Sequence, residues 1–275
     1  MCLPLVWLAP RARPLAAETS TAARWGAKPR TPSAILKRGD KKRAHVDGAA
    51  QQIPPMERKA PRRTRERILE TSLRLFNDFG EPNVNTTIIA QEMNISPGNL
   101  YYHFKNKDDI VTSIFQQFER EIDKLLTVPD DRTPNVEDAW LFLHLLFETI
   151  WKYRFFYRDL NNLLINNRTL ELRFKSLLAQ KIKMARWLCD GLARLSELRA
   201  SPAETDALAT NMVVVTTWWL SYEYVLNPRR AAEPEMLNEA LARGCYHVMS
   251  LVAPYLAGDA RALFEKLAGE YNTSR

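Results

Sequence analysis

Cysteine is scarce. Cys2, Cys189 and Cys245 are the only three in 275 residues, odd in number and without a CxxC pair. That argues against a disulfide framework and fits a reducing cytosol. The four histidines, His45, His103, His144 and His247, have no second ligand-type residue at metal spacing around them, so no zinc or iron site is expected. Long apolar runs are missing too. The two best candidates, WLFLHLLFETIW from Trp140 and MVVVTTWWLSYEYVL from Met212, fall short of the roughly 18 to 20 apolar residues a membrane span requires. Both carry polar groups at helical spacing and read as core helices, so no membrane partner is expected. There is also no nucleophile beside a base, no carboxylate pair in an apolar setting and no phosphate-binding glycine loop. An enzyme is therefore not expected, nor a cofactor. No convincing β-run is present, and the chain reads as all-α.

Charge is present but unevenly placed. Residues 1–55 hold ten Lys/Arg against three Asp/Glu, which leaves 29 against 29 for residues 56–275. The net +7 therefore belongs wholly to the leader and says little about nucleic-acid binding by the rest. Residues 1–55 are rich in Ala, Pro and Arg and include KRGDKKR, a composition expected to be disordered. MCLPLVWLAP lacks the basic start and the cleavage site of a signal peptide. An organellar transit peptide suits the composition better, and the preferred reading is that Met56 is the natural start. A role for the leader in binding membrane or nucleic acid would require it to be expressed and needed.

From Arg62 the pattern is helical, with Ile68, Leu69, Leu73, Leu75, Phe76 and Phe79 at steps of three and four and Gly80 as the stop. Asn85 or Thr86 can cap a short second helix that runs through Met93. Ser96 is a good N-cap with Pro97 at the first helical position, so SPGNLYYHF opens a third helix. Asn106 with Asp109 resembles a capping box for a fourth helix reaching about Leu126. Two short helices joined by a tight turn and braced by longer ones make a helix-turn-helix. VPDDRTPN then marks a boundary, which divides the chain into a leader 1–55, a helix-turn-helix domain 56–127 and a helical domain 128–275. Helical patterns follow over 136–157, 160–166, 169–198, 203–226, 234–254 and 258–271.

In a helix starting at Pro97, Leu100 and Phe104 lie at i and i+4 and point inward, toward Leu73, Phe76 and Ile89. The outer face then presents Gly98, Asn99, Tyr101 and Tyr102, with His103 and Lys107 toward the end. Each suits a major groove. Gly98 lets the backbone approach closely, Asn99 can pair with adenine, and a Tyr ring packs on thymine methyls. His103 and Lys107 donate to phosphates, Thr86 and Thr87 suit the same strand, and Ser96 and Pro97 set the helix start against the duplex. Arg62, Arg63 and Arg65 could bind the neighbouring backbone. The competing reading gives the tyrosines half-buried packing roles and the arginines a solvated helix start.

RERILETSLRLFNDFG, IAQEM at Ile89–Met93 and ISPGNLYYHFKNKDDIV at Ile95–Val111 resemble the DNA-binding domain of the TetR family of bacterial regulators. The resemblance covers roughly residues 60–115. It implies an N-terminal three-helix DNA-binding domain and a larger C-terminal helical domain that binds an effector and dimerises, in a cytoplasmic, nucleoid-associated bacterial protein. A homodimer would bind a palindromic double-stranded DNA operator, most often as a repressor; activation, or a helical ligand-binding protein acting without DNA, are the alternatives. Carried over by position, Asn99 and Tyr101 face bases, while Tyr102, His103 and Lys107 hold phosphates. Aligned on Ala90, Val84 and Asn85 fall where the family often has a threonine pair, so a base contact from the second helix is not implied.

The aromatic side chains of residues 135–275 are mostly core by composition, but some should line an apolar effector cavity between helices. Phe147, Trp151, Met184, Trp187 and Trp218 are the expected lining. FNDFGEPNVNT, SPGNLYYHF and YRFFYRDL together resemble a TetR subgroup regulating polyhydroxyalkanoate and fatty-acid metabolism, which implies a fatty-acyl or similar small apolar effector. Ala207, Leu208, Asn211, Val214, Val215 and Trp218 on one long helix, and Met236, Ala240, Leu241, Cys245, Val248, Leu251 and Val252 on the next, suit a four-helix dimer interface or a monomer core.

Overall fold

The computed structural model describes residues 61–128, 132–228 and 234–272. The leader and the expected start at Met56 lie outside the described residues. Eleven helices account for the described chain: α1 Pro61–Phe79, α2 Thr86–Glu92, α3 Pro97–His103, α4 Lys107–Leu126, α5 Val136–Lys152, α6 Phe155–Arg158, α7 Leu160–Asn166, α8 Arg168–Arg194, α9 Pro202–Leu226, α10 Pro234–Val252 and α11 Gly258–Asn272. Single 3-10 turns lie at Glu81–Asn83 and Ala253–Tyr255. No strand occurs among the described residues, and the all-α class holds.

The starts and stops follow local chemistry. Gly80 takes a φ of 89°, a conformation L side chains rarely adopt, and its N–H bonds back to the Phe76 carbonyl to close α1. The Asn85 side chain accepts from the Ile88 N–H and caps α2. Asn94 closes α2 in the left-handed region at φ 53°, where asparagine is one of the few side chains tolerated. Ser96 accepts from the Asn99 N–H with Pro97 behind it, as expected for α3. Asn106 caps α4 through the Asp109 N–H, but the Asp109 carboxylate returns to the N–H of Lys105, one residue short of a true capping box.

Ile68, Leu69, Phe76, Ile89, Leu100 and Phe104 are buried together, so Leu100 and Phe104 anchor α3 as expected. α4 buries Ile110, Val111, Ile114, Phe115, Phe118, Ile122 and Leu126. It packs on α1 on one side and on α5 and α8 on the other, which makes it common to both parts of the chain. Beyond it a ring cluster of Phe115, Phe118, Tyr153, Phe156, Tyr157 and Phe174 fills the centre of the larger part, with centroids such as Phe115 to Phe156 at 5.2 Å and Tyr157 to Phe174 at 6.0 Å. α8 and α9 form an antiparallel pair, and α10 lies against α9 and α5. At that crossing Gly244 is required by space: a Cβ there would stand 2.8 Å from both Phe147 Cζ and Trp219 Cδ1.

The expected helix over 136–157 is broken. α5 ends at Lys152 and α6 restarts at Phe155. The cause is Asn77 of α1, whose amide donates to the Lys152 carbonyl (2.9 Å) and accepts from the Phe155 N–H (3.1 Å). One side chain satisfies the end of one helix and the start of the next. α8 ends four residues before the expected 198, at Arg194, where Ser196 turns the chain with a φ of 61°.

Candidate nucleic-acid interface and junction cleft

α3 is held by its inner face and offers its outer one. Tyr102 is 78% exposed and Tyr101 50%, and Ser96, Pro97, Gly98 and Asn99 are all exposed. The Tyr101 hydroxyl shares a hydrogen bond with Thr86 Oγ1 (3.1 Å), which ties the middle of α3 to the first residue of α2. Thr86 is half-buried and Thr87 exposed beside it. The rings of Tyr102 and His103 meet edge to face at 5.1 Å. Gly98 has no internal reason to be glycine: a Cβ there would meet only Ser96 Oγ at 3.9 Å. The space it leaves is on the outside of α3.

A groove of about 350 Å³ runs along one side of α3, between Arg65, Tyr101, Tyr102, His103, Lys105 and Ser113. Arg65 donates to Ser113 Oγ (3.2 Å) and stacks over Phe104 at 4.7 Å, which fixes a guanidinium next to α3. Lys105, in the turn between α3 and α4, lines the same groove. Arg63 is exposed on α1, and the side chain of Arg62 lies outside the described residues. Lys107 is placed differently from the expectation. Its ammonium donates to the Glu81 carbonyl (3.0 Å) and pairs with Glu81 Oε1 (2.7 Å), so it ties the start of α4 to the turn after α1 instead of standing clear for a phosphate.

The five residues expected to line one effector cavity are not brought together. Phe147 and Met184 are core, Trp187 is packed against the core, and Trp218 is 42% exposed on the outer side of α9. Its neighbour Trp219 points the other way and donates to the Ala240 carbonyl (2.7 Å), as helical phase requires. Only Trp151 reaches the main cleft. That cleft, about 470 Å³, lies between the end of α1, the 3-10 turn after it, α6 and the C-terminal half of α9. Its walls include Phe79, Trp151, Arg154, Arg158, Tyr224 and Val225.

α6 governs the junction. Arg158 donates to the carbonyls of Phe76 (2.6 Å), which also accepts from the Gly80 N–H, and Asn77 (3.1 Å), in the last turn of α1. Asp159 accepts from the Glu81 N–H at 2.9 Å. Arg154 pairs with Asp78 at 3.2 Å and lies over the Trp151 ring at 4.8 Å; burial draws its basicity down against the pull of Asp78. The sequence signal was available in retrospect: two arginines at i, i+4 inside an otherwise aromatic run. No cluster of three or more His, Cys, Asp or Glu suited to a metal occurs among the described residues, and no described helix is long and apolar enough to cross a membrane.

A three-helix unit that exposes one short helix through a braced turn, joined through a clamped junction to a larger helical body, defines a two-part helix-turn-helix protein. The family follows from comparison: residues 68–114 match the model for bacterial regulatory proteins of the tetR family, and residues 117–264 match that for a bacterial transcriptional repressor. The chain belongs to the TetR family. It is similar to a TetR-family transcriptional regulator from Marinobacter aquaeolei VT8, 36% identical with a TM-score of 0.68, over 76% of this chain and 98% of that one. An HTH-type transcriptional regulator of Staphylococcus aureus (strain USA300) is 34% identical over 95 residues, 33% of this chain and 50% of the relative. The chain thus spans about half the length of the curated relatives it matches. A regulator from Saccharomonospora viridis, solved in complex with choline, shares the fold at 19% identity and a TM-score of 0.52, over 70% of this chain and 96% of that one.

Proposed function

We propose that the chain is a sequence-specific transcriptional repressor of the bacterial cytoplasm, which binds a palindromic operator as a homodimer and leaves it when a small apolar effector binds the helical body. The observation that carries this reading is the outer face of α3. Asn99, Tyr101 and Tyr102 are exposed beside an open glycine, on a helix whose inner face is locked by Leu100 and Phe104. Such a helix presents its N-terminal residues to base edges while Arg65, His103 and Lys105 stand where phosphates pass. Repression is preferred because the larger part matches a model described as a transcriptional repressor.

Support for the dimer comes from α9. Ala207, Asn211, Val214, Trp218, Tyr222 and Val225 are exposed at steps of three and four along one stripe, while the opposite side of the same helix is core. A helix apolar on both sides needs cover on both, and a second copy supplies it.

Selection of bound fragments from genomic DNA tests the reading. A palindrome should be enriched, and Asn99→Ala should lose about 1–3 kcal/mol of discrimination at one base pair of each half-site. Recovery of no enriched sequence, or an Asn99→Ala profile identical to the parent, would defeat it.

A further inference from the structure

Lys181 of α8 is 2% exposed, and its ammonium donates to one group, the Tyr157 hydroxyl, at 3.1 Å. It also lies 5.0 Å from the centre of the Tyr157 ring. No carboxylate among the described residues pairs with it. Burial by itself brings its pKa down to about 7. A lysine so placed is costly to folding, because an unbranched apolar side chain of similar length would fill the space without desolvating a cation.

The surroundings suit a ligand. Tyr157 packs on Phe118 and Phe174, so the space about the ammonium is apolar and aromatic. On α9, Ser221 donates to the Tyr157 carbonyl at 3.0 Å. Thr217, one turn earlier on α9, has a buried hydroxyl with no hydrogen-bond partner among the described residues. Ser221 also lines the junction cleft. Tyr157 thus meets Ser221, on the wall of the cleft, through its carbonyl and the buried cation through its hydroxyl.

We propose that Lys181, with the Tyr157 and Thr217 hydroxyls, receives the carboxylate head of an effector whose body is apolar, entering from the junction cleft past the Tyr157 ring. This rests on the effector-controlled regulator described above and names the chemical class of its ligand. The location also supplies the coupling. Tyr157 is followed directly by Arg158 and Asp159, which hold the end of α1 and the turn after it. A ligand that displaces Tyr157 loosens those bonds and shifts the reading helix relative to its partner's.

The experiment measures binding of straight-chain carboxylates of about 6 to 16 carbons, each against the alcohol of equal length, by calorimetry on the full chain, where a charge-assisted contact predicts about a tenfold preference for the acid. Lys181→Met should abolish the preference, and Tyr157→Phe should reduce it, with circular dichroism reporting that each variant is folded. If Lys181→Met does not fold, the acid-to-alcohol ratio in the parent and in Tyr157→Phe still decides. Equal affinity for acid and alcohol, a preference that survives Lys181→Met, or no binding by any of the series to a parent protein that still enriches its operator would overturn the proposal. A parent that enriches no DNA while preferring acids would overturn the regulator reading and leave the lysine site standing.

Discussion

Gly98 separates two explanations of α3 that its neighbours leave mixed. Its backbone is ordinary and its Cβ position is open, so nothing inside the chain objects to a larger side chain. Gly98→Leu should therefore leave the melting temperature unchanged or slightly raised, since leucine favours helix over glycine by up to about 1 kcal/mol. Operator affinity should fall by about tenfold or more as the side chain holds the backbone off the groove. Unchanged affinity in band-shift titration would mean that α3 does not approach DNA at this residue. At this scale the sequence was informative wherever a role depended on a few neighbours: Ser96, Pro97, Leu100 and Phe104 follow from spacing alone. Lys107 did not, because its partner Glu81 lies 26 residues earlier, in a turn whose path depends on Gly80.

Helices were legible where their ends carry their own caps, as at Asn85, Ser96 and Asn106. The break between α5 and α6 was not, since the groups that take up its backbone bonds belong to Asn77, 75 residues from Lys152. The cavity residues failed for a related reason. Phe147, Met184, Trp187 and Trp218 are the right kind of side chain, but which way each faces depends on helix packing that periodicity leaves open. α6 is the element on which the junction turns. Arg158→Met keeps the length and the aliphatic contact but removes a charged donor from two α1 carbonyls, and should cost about 1–3 kcal/mol in urea denaturation. It should also weaken the effect of effector on operator binding. A variant of parental stability and parental effector response would remove α6 from the coupling path.

For the molecule as a whole, two measurements address charge and association. Lys181 titrates near 7 in the folded chain against an ordinary value of 10.5, so between these pH values the unfolded chain carries the extra proton and stability rises with pH, by at most about 1.4 kcal/mol per unit. Cys189 and Cys245, raised by burial to about 11 and about 12 from 9.0, act oppositely and take over above pH 9. Stability from these groups should rise from pH 7 to about 9 and then fall, and Lys181→Met should lack the rise. Parallel stability curves for parent and Lys181→Met would show the lysine to be ionised inside the fold. As to association, Val214→Glu with Trp218→Glu should give a monomer in sedimentation and cost most of the operator affinity. A double variant that remains dimeric would move the interface away from α9.

The two-sided grip of Asn77 bears on how far such proteins can be recombined. Its amide closes α5 and opens α6, while Arg158 reaches back to end α1, so each part of the chain completes the other's backbone bonding. A chimera that grafts the first four helices onto another helical body inherits orphaned groups on both sides of the cut unless asparagine and arginine counterparts travel with it. Exchange of reading heads among relatives is therefore restricted by hydrogen-bond grammar at the seam as well as by the match of surfaces.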